Sequence, residues 1–541
     1  MKNIDTALTF YRSCVAAWKR HPLIGALVLW SISMIVYAYM LAGPVFADPD
    51  SFYHIKMAEL MIRDKGPVVE FPWLAFTTLT QSYVDHHFLY HAFLIPWILL
   101  FGDIIGAKVA TVVLASTTIA LFYLALRQYK VPIAFFCALL LMCNPDFSFR
   151  MLLTKATTVG FIFMISGLML ILKRNYRLLA LCAFFFVWSY GGFLLLAILS
   201  IVCVVVRTLM VRIHARRFPH KKMLLMLGAP LLVVGAGTFA ALLIHPSFPN
   251  HFRFYWEQII QIGFVNYSDT IGVGGEWYPY NISDLAGSMI VSTIIYVVSI
   301  ILAFWHARKL KEGSWITLIM SFFFLLFTLK SRRYVEYLIP WSLLASAYVL
   351  TDSGVIRWCM HATQKALSRW NTYSISARAI IIASSIGFLV NTTSIMWSQI
   401  HKVEEYLQSG LNTRLFADAG RWLQTHATAG DIVFHDNWST FPLLFYNATK
   451  PYYIVGLDAT FMYRHNPDLY WEWAKITLNT YEGDIYPVIA DHFRARFVFV
   501  DSEHPVLKAK LDADPRFVEA YHDDEATIYR IPRNTTGEAT E

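Results

Sequence analysis

Charged residues are scarce in this chain of 541 residues, at 15% against 57% hydrophobic residues. Soluble globular domains carry about 25% charged residues, so the composition excludes a soluble protein and indicates a polytopic membrane protein. The net charge is +8, but the basic residues stand in short loops between apolar runs. That pattern sets orientation in a membrane, so we expect a lipid bilayer as partner and no nucleic acid.

Cysteine is also rare, with six residues in the chain and none after Cys359. This excludes a disulfide framework and a cysteine-based metal site. A cleavable leader is not evident either, because no small-residue cleavage site accompanies the first apolar run. That run begins near Pro22, after Lys19 and Arg20, and we interpret it as a retained signal anchor.

The apolar runs predict eleven membrane crossings, or about 11–13 depending on two ambiguous stretches. One is 88–101, which is short and contains His91 and Pro96; we interpret it as a juxtamembrane or re-entrant helix. The other is 178–207, which we divide at Tyr190–Gly192. The predicted crossings are 22–43, 104–126, 132–144, 157–173, 178–190, 192–207, 223–244, 287–305, 314–330, 334–351 and 379–398.

Basic residues in the connecting loops fix the predicted orientation. The loops that we assign to the cytoplasm are those at 19–20, 127–130, 173–177, 207–222, 308–311 and 357–378. The N-terminus is then cytoplasmic. The segments 44–103, 145–156 and 245–286 lie on the outer face, and so does the C-terminal domain. The scarcity of cysteine and the single compact chain favour a bacterial inner membrane, with that domain in the periplasm.

The C-terminal part changes abruptly to the composition of a soluble fold. We therefore divide the chain into a membrane domain, 1–399, and an extracytoplasmic domain, 400–541. Helical periodicity covers 403–427; strands are predicted at 431–436, 452–456 and 496–501, helices near 467–479 and 504–513, and a closing hairpin at 517–531. The fold class is thus a polytopic α-helical membrane protein with a C-terminal soluble α/β domain.

Two acidic residues, Asp48 and Asp50, follow the first apolar run directly and are separated by a proline. Partial desolvation of two carboxylates at a membrane surface costs free energy, so we expect these residues to bind a cation, a proton or a sugar hydroxyl. The alternative is structural, because Asp50 and Ser51 precede an amphipathic pattern and could cap a helix. Both roles are compatible.

The same outer loop ends with Asp85, His86 and His87, followed by His91. A carboxylate with imidazoles suits a divalent cation or a proton relay. The alternative is an interfacial helix with one polar edge.

The third outer loop contains Glu276 among glycines, followed by the aromatic residues Trp277, Tyr278 and Tyr280. A mobile loop of this kind can close over a substrate and contribute one carboxylate, while the rings offer flat surfaces to a sugar or lipid. The alternative is an ordinary glycine-rich turn with interfacial aromatic residues.

A basic cluster that includes Arg332 and Arg333 falls on the predicted outer face, against the rule that places basic loops inside. Arginine suits phosphate, so we predict an anion site there; snorkelling side chains are the alternative. Arg150 and Lys155 in the short segment 145–156 could bind the same anion or simply flank two crossings.

In the C-terminal domain, His435, Asp436 and Trp438 come directly after a predicted strand. Loops in this position of α/β sheets often present ligands, and a tryptophan can stack on a sugar ring. Packing and turn formation are the alternative.

These features together resemble the GT-C glycosyltransferases, and within them the catalytic subunit of oligosaccharyltransferase. The segment Asp50-Ser51-Phe52-Tyr53-His54-Ile55-Lys56 resembles the first-loop motif of that family. The resemblance implies that Asp50 is the main catalytic carboxylate and that Asp48 is its acidic neighbour. It also implies that Glu276 contacts the reaction centre and that Arg332 or Arg333 lies near the lipid-linked phosphate.

The chain departs from the family at two motifs. The second acidic motif is expected near 146–156, where only Asp146 is acidic. A divalent cation, Mg²⁺ or Mn²⁺, therefore has an incomplete acidic site in which Asp48, Asp50, Asp85, His86 and His87 are the candidate ligands. The Trp-Trp-Asp motif that reads an Asn-x-Ser/Thr acceptor is replaced by Asp436-Asn437-Trp438-Ser439-Thr440.

The predicted function is transfer of a sugar or oligosaccharide from a polyprenyl-(pyro)phosphate carrier to a protein, glycan or lipid on the outer face. The main alternative is a GT-C enzyme that adds a single sugar to an envelope glycan or lipid. A transporter or flippase for lipid-linked sugars is less favoured, because the strong charges stand in outer loops rather than within crossings.

Overall fold

The computed structural model describes residues 21–215, 221–281, 283, 285 and 290–532. Helices dominate these residues. The α-helices are Pro22–Met40, Asp50–Asp64, Leu79–Ser82, Phe88–Phe101, Asp103–Gln128, Ala134–Met142, Pro145–Met151, Thr157–Lys173, Tyr176–Val187, Leu194–Ala215, Lys221–Leu243, His251–Tyr255, Ile290–Trp305, Glu312–Lys330, Val335–Asp352, Val355–Ser368, Ile375–Gln408, Ala417–His426, Phe441–Asn447, Ala459–His465, Pro467–Thr477, Ile485–Pro487 and Pro505–Asp512. Wider π-helical turns occupy Trp256–Val265 and Val488–His492.

Six of the described helices are long and apolar enough to cross a membrane, and a bent pair at 332–352 and 355–368 makes a seventh if it is one crossing. The chain is therefore an integral membrane protein. Each of the eleven predicted crossings coincides with a helix. The count of 11–13 is not confirmed, because several of these helices are short. Ala134–Met142 has nine residues and covers roughly 14 Å, about half of a bilayer core.

The division that we predicted near Tyr190 is confirmed. The helix Tyr176–Val187 ends there, Tyr190 is extended, and a 3₁₀ turn at Gly191–Phe193 leads into the helix Leu194–Ala215. Two helices replace one long apolar run because the glycines interrupt the helical backbone.

The described chain forms two compact units. One contains residues up to 43 together with 108–242 and 278–409, and the other contains 44–107, 243–277 and 410–541. The first unit is helical. Large aromatic side chains such as Tyr37, Phe122 and Trp341 are fully buried in it. The ion pair between Arg207 and Glu312 (2.8 Å) joins two of its long helices.

The second unit is built on a five-stranded mixed sheet. Its strands are β3 (Ile432–His435), β4 (Tyr452–Tyr453), β5 (Ala495–Asp501), β6 (Val518–His522) and β7 (Ala526–Arg530), in the order β4-β3-β5-β7-β6. β3 is parallel to β4 and β5, whereas β7 is antiparallel to β5 and β6. β1 (Val45–Phe46) and β2 (Leu411–Asn412) form a separate antiparallel pair. The predicted strands, closing hairpin and two flanking helices are confirmed.

One prediction for this region is wrong. The helical pattern at 403–427 is not a single helix, because Ile375–Gln408 ends before β2 and a new helix begins at Ala417. Phe416 precedes it with a left-handed backbone, at φ 58°. Pairing of β2 with β1 takes the intervening residues out of the helix.

Two segments that the sequence analysis assigns to the outer face belong to this sheet unit. Leu74 forms a β-bridge with Tyr453, and Ile271 lies in the hydrophobic core beside Phe434 and Tyr470. The predicted first and third outer loops are therefore integral to the unit that contains the C-terminal sheet. Burial of their apolar side chains, worth about 25 cal/mol per Å², holds them there.

Candidate functional site

Asp48 and Asp50 lie at the start of the helix Asp50–Asp64. An oxygen of Asp48 accepts a hydrogen bond from the backbone N–H of Asp50 (2.9 Å), so the first carboxylate is fixed by the second residue. Pro49 holds the turn that starts the helix. Both carboxylates are half-buried. Asp50 is the first residue of the helix and Pro49 is its N-cap, so the expected cap at Asp50 and Ser51 is displaced by one residue. The functional role of the two carboxylates stays a prediction.

The helix that carries Asp50 is fixed to the C-terminal domain within the second unit. The Phe52 ring lies against Tyr446 with centroids 5.5 Å apart, and the Lys56 ammonium lies 5.0 Å from the Tyr446 ring centre. Lys56 also pairs with Glu59 at 2.6 Å. The Tyr446 hydroxyl donates to Asp103. These contacts hold the acidic turn against the helix Phe441–Asn447.

A series of hydrogen-bonded polar side chains begins one helical turn after Asp50. His54, one helical turn after Asp50, forms a hydrogen bond of 2.8 Å between its Nδ1 and Nε2 of His91. His91 Nδ1 donates to Asp85 (2.9 Å). The other Asp85 oxygen accepts the N–H of His87 (3.1 Å). One nitrogen each of His54, His87 and His91 could hold a metal ion, since these atoms all lie within 4.8 Å of one another.

His86 has different neighbours from the other histidines of its segment. Its ring lies 5.0 Å from Phe254 and 3.8 Å from His87, centre to centre. The structure therefore brings Asp85 and His87 together with His54 and His91. His86 is not among the histidines whose nitrogens are close enough to share a metal ion.

Glu276 is half-buried in a 3₁₀ turn, Gly275–Trp277, beside the C-terminal domain. The Trp277 carbonyl accepts from the side chain of Asn266 (2.6 Å). Gly274 approaches Trp438 so closely that a Cβ there would lie 3.7 Å from the indole. Trp438 itself packs against the sheet core. The structure thus joins two predicted site segments, the Glu276 turn and the Trp438 turn.

Asp436 takes part in a second buried polar cluster, at the carboxyl ends of β3 and β5. Its carboxylate accepts the N–H of Asp501 (2.6 Å) and lies 3.4 Å from His504. His504 Nδ1 also pairs with Asp501 at 2.6 Å. Burial, reinforced by the charge of Asp501, raises the pKa of Asp436 to about 7. His435 is fully buried as well, and burial lowers its pKa to about 4.

The arginines of the predicted anion site lie in the helical unit, in a 3₁₀ turn at Arg332–Tyr334. The backbone N–H of Arg332 donates to the carbonyl of Tyr278 (2.9 Å), and its exposed guanidinium lies 6.0 Å from the ring centre of Tyr280. The Tyr280 hydroxyl donates to Asp146 (3.3 Å). Arg333, half-buried, donates to the hydroxyl of Tyr190 (3.2 Å).

Arg150 forms a buried ion pair in the same unit. Its Nε lies 2.8 Å from an oxygen of Glu336, and the two residues are 8% and 1% exposed. Glu336, which follows Arg333 by three residues in the chain, therefore neutralises part of the charge of Arg150. Lys155 is half-buried, and its backbone N–H donates to the Leu153 carbonyl.

Sequence reasoning missed four participants of these clusters: His54 and Glu336, and in the domain Asp501 and His504. Each is distant in the chain from the predicted site residue that it contacts: His91, Arg150 or Asp436. The sequence did contain a signal for Asp501. Asp436 and Asp501 each stand at the carboxyl end of a predicted strand, and the carboxyl ends of parallel strands lie at the same edge of a sheet, so the two side chains could have been expected to meet.

The fold is that of an archaeal oligosaccharyltransferase. The chain is similar to AglB of Archaeoglobus fulgidus, in a complex with an inhibitory peptide and a dolichol-phosphate, with a TM-score of 0.62, 11% identity and coverage of 89% of this chain and 70% of AglB. It is also similar to the apo form of the oligosaccharyltransferase from this organism (TM-score 0.59, 13% identity, 88% and 69% covered). A third structure, the complex with Zn and sulfate, gives a TM-score of 0.54 at 12% identity, with 94% and 74% covered.

The sequence comparisons add no family. No protein-family model matches the chain, and no curated protein matches it significantly. The oligosaccharyltransferase-like GT-C fold that the sequence predicts is confirmed by structural similarity alone.

Proposed function

We propose that this protein is a membrane glycosyltransferase of the oligosaccharyltransferase type, which uses a polyprenyl-(pyro)phosphate-linked sugar as donor. One observation carries the proposal. Three segments that the sequence singles out, around Asp50, Glu276 and Trp438, belong to one compact unit although they are separated by up to nearly 400 residues. The similarity of the fold to AglB, over 89% of this chain, supports the same class of reaction.

The arginine turn is the proposed site for the phosphate of the donor. The leaving group is an anionic phosphate or pyrophosphate, and fixed positive charges lower the barrier by stabilising the charge that develops on it. Arg332 offers an exposed guanidinium, and Arg333 is oriented by Tyr190. Lys155 is a further candidate. Because Arg150 pairs with Glu336, we assign it the role of positioning this turn.

Asp50 is the proposed general base, or the group that orients the nucleophile of the acceptor. Asp48 is held against the backbone of Asp50 and supports it. Asp48 and Asp50 would hold a divalent cation, because Mg²⁺ and Mn²⁺ prefer carboxylate oxygens as ligands. Such a cation would supply charge stabilisation at the phosphate. Glu276 would complete the site from a loop that can exclude water.

The acceptor is proposed to contact the aromatic side chains of Trp277 and Trp438 in the sheet unit, and Tyr278 is a further candidate. Trp438 is half-buried, whereas His435 and Asp436 are 0% and 2% exposed. We therefore assign His435 and Asp436 to the support of the loop rather than to direct contact. AglB was solved with an inhibitory peptide, which favours a peptide acceptor here.

A second candidate is the addition of a single sugar to an envelope glycan or lipid. It is favoured by residues 436–440, Asp-Asn-Trp-Ser-Thr, in place of the Trp-Trp-Asp motif. In both cases we place the protein in a bacterial inner membrane with the sheet unit in the periplasm.

Deletion of the protein followed by mass spectrometry of envelope proteins, glycans and lipids tests both candidates. A protein that loses an oligosaccharide supports the first, and a glycan or lipid that loses one sugar supports the second. Complementation should fail with Asp50→Asn, because loss of acid–base catalysis costs roughly 10²–10⁴-fold in rate.

The matched control is Asp64→Asn, which removes an exposed carboxylate at the far end of the same helix and should restore the product. If Asp50→Asn restores the wild-type product at the wild-type level, the proposed mechanism is wrong.

A further inference from the structure

The cluster of histidines behind Asp50 has no role in the transfer reaction described above. His54 is 3% exposed and His91 is 0% exposed, whereas His87 is half-buried. Three imidazoles whose nitrogens lie within 4.8 Å of one another suit either proton sharing or one bound metal ion. The arrangement joins two helices, since His54 belongs to Asp50–Asp64 and His91 to Phe88–Phe101.

The bond between Asp85 and His91 fixes the tautomer of that imidazole. Asp85 accepts, so the proton of His91 is on Nδ1. Nε2 of neutral His91 then carries a lone pair, and it is the atom that faces His54. A carboxylate that orients a histidine in this way is the usual support of a metal ligand in proteins.

The spacing also suits a metal. His87 is the N-cap of the helix Phe88–Phe101 and His91 lies one turn into it, with the two ring centres 6.1 Å apart. The distance of 2.8 Å between the nitrogens of His54 and His91 would increase to roughly 3.4 Å on a tetrahedral ion with metal–nitrogen bonds of about 2.0–2.1 Å. That change is small enough for side-chain rotation.

We propose that His54, His87 and His91 bind one transition-metal ion of the zinc class, with Asp85 as the residue that positions His91. Imidazole nitrogens select zinc-class ions over Mg²⁺, which prefers oxygen ligands. Three protein ligands leave a fourth position for water. The ion ties the helix Asp50–Asp64 to the helix Phe88–Phe101 one turn after Asp50. The site does not depend on the proposed glycosyl transfer and is separate from the Asp48–Asp50 pair.

Titration of the full-length, chelator-treated protein in detergent with Co²⁺ tests the proposal, using an affinity tag without histidine. We expect one Co²⁺ per chain to show the visible absorption of a tetrahedral ion and to be displaced by one equivalent of Zn²⁺. His54→Ala and His91→Ala should abolish this signal. Asp85→Asn should weaken binding by roughly 10–100-fold, a graded effect that keeps the test valid if an alanine variant fails to fold.

Two controls separate this site from other ligands. His426→Ala removes an exposed histidine elsewhere, and Asp50→Asn removes the neighbouring carboxylate; both should retain the Co²⁺ signal. Absence of stoichiometric binding in the wild type, or binding that survives both His54→Ala and His91→Ala, overturns the proposal and leaves a proton-sharing cluster. Loss of binding in Asp50→Asn overturns it as well.

Discussion

The buried pair of Arg150 and Glu336 offers a sharp test of the anion site. The atoms lie 2.8 Å apart and the residues are 8% and 1% exposed, so solvent screens the pair weakly. Removal of either charge breaks a buried ion pair, which costs about 3–5 kcal/mol of stability. Arg150→Met and Glu336→Gln should therefore each destabilise the protein strongly. The double variant should be more stable than either single variant.

Thermal unfolding of the four proteins in one detergent, followed by tryptophan fluorescence, gives the double-mutant cycle. Binding of a polyprenyl phosphate to the same proteins supplies the second readout. If Arg150 only positions the arginine turn, the double variant should recover most of the binding. Single variants that each lose less than about 1 kcal/mol and add without coupling would refute the reasoning. Arg150 would then belong to the phosphate site itself.

Two further predictions concern the sheet unit. Asp436, whose pKa is about 7 in the folded protein, binds its proton more tightly there than when unfolded at its ordinary 3.8. His504, whose pKa is raised by Asp501, acts in the same direction, so the unfolding temperature should fall as pH rises through 7. Asp436→Asn should flatten that profile; an unchanged slope would contradict the assignment. Gly456→Ala should cost about 1–3 kcal/mol, because its Cβ would lie 2.4 Å from Phe441. Gly272→Ala, which meets nothing within 4 Å, should be neutral, and equal effects in a thermal unfolding assay would contradict the packing.

Much of the fold could be predicted from the sequence, because hydropathy indicates membrane helices and the periodicity of apolar residues distinguishes helices from strands. Every predicted crossing is a helix, and the strands of the C-terminal sheet stand where β-branched and aromatic runs predicted them. Helix length was less accessible, as Ala134–Met142 shows. The pairing of β1 with β2, which ends the helix before Leu411, depends on residues far apart in the chain and left no local signal.

The site was predictable where chemistry is concentrated in a short segment. Asp48 and Asp50 stood out because two carboxylates directly follow an apolar run. The partners of long-range pairs did not: nothing local to His54 indicates His91, and nothing local to Glu336 indicates Arg150. Such pairs form when helices that are distant in the sequence pack against each other, so no short segment of the sequence contains a pattern that predicts them.

The most direct test of the central claim is a cryo-EM structure of the full-length protein with a bound polyprenyl phosphate. The proposed function predicts that the phosphate contacts Arg332 or Arg333 and that Asp50 and Glu276 face the position of the sugar. A phosphate bound away from these arginines, with the carboxylates remote from it, would contradict the proposed sugar transfer.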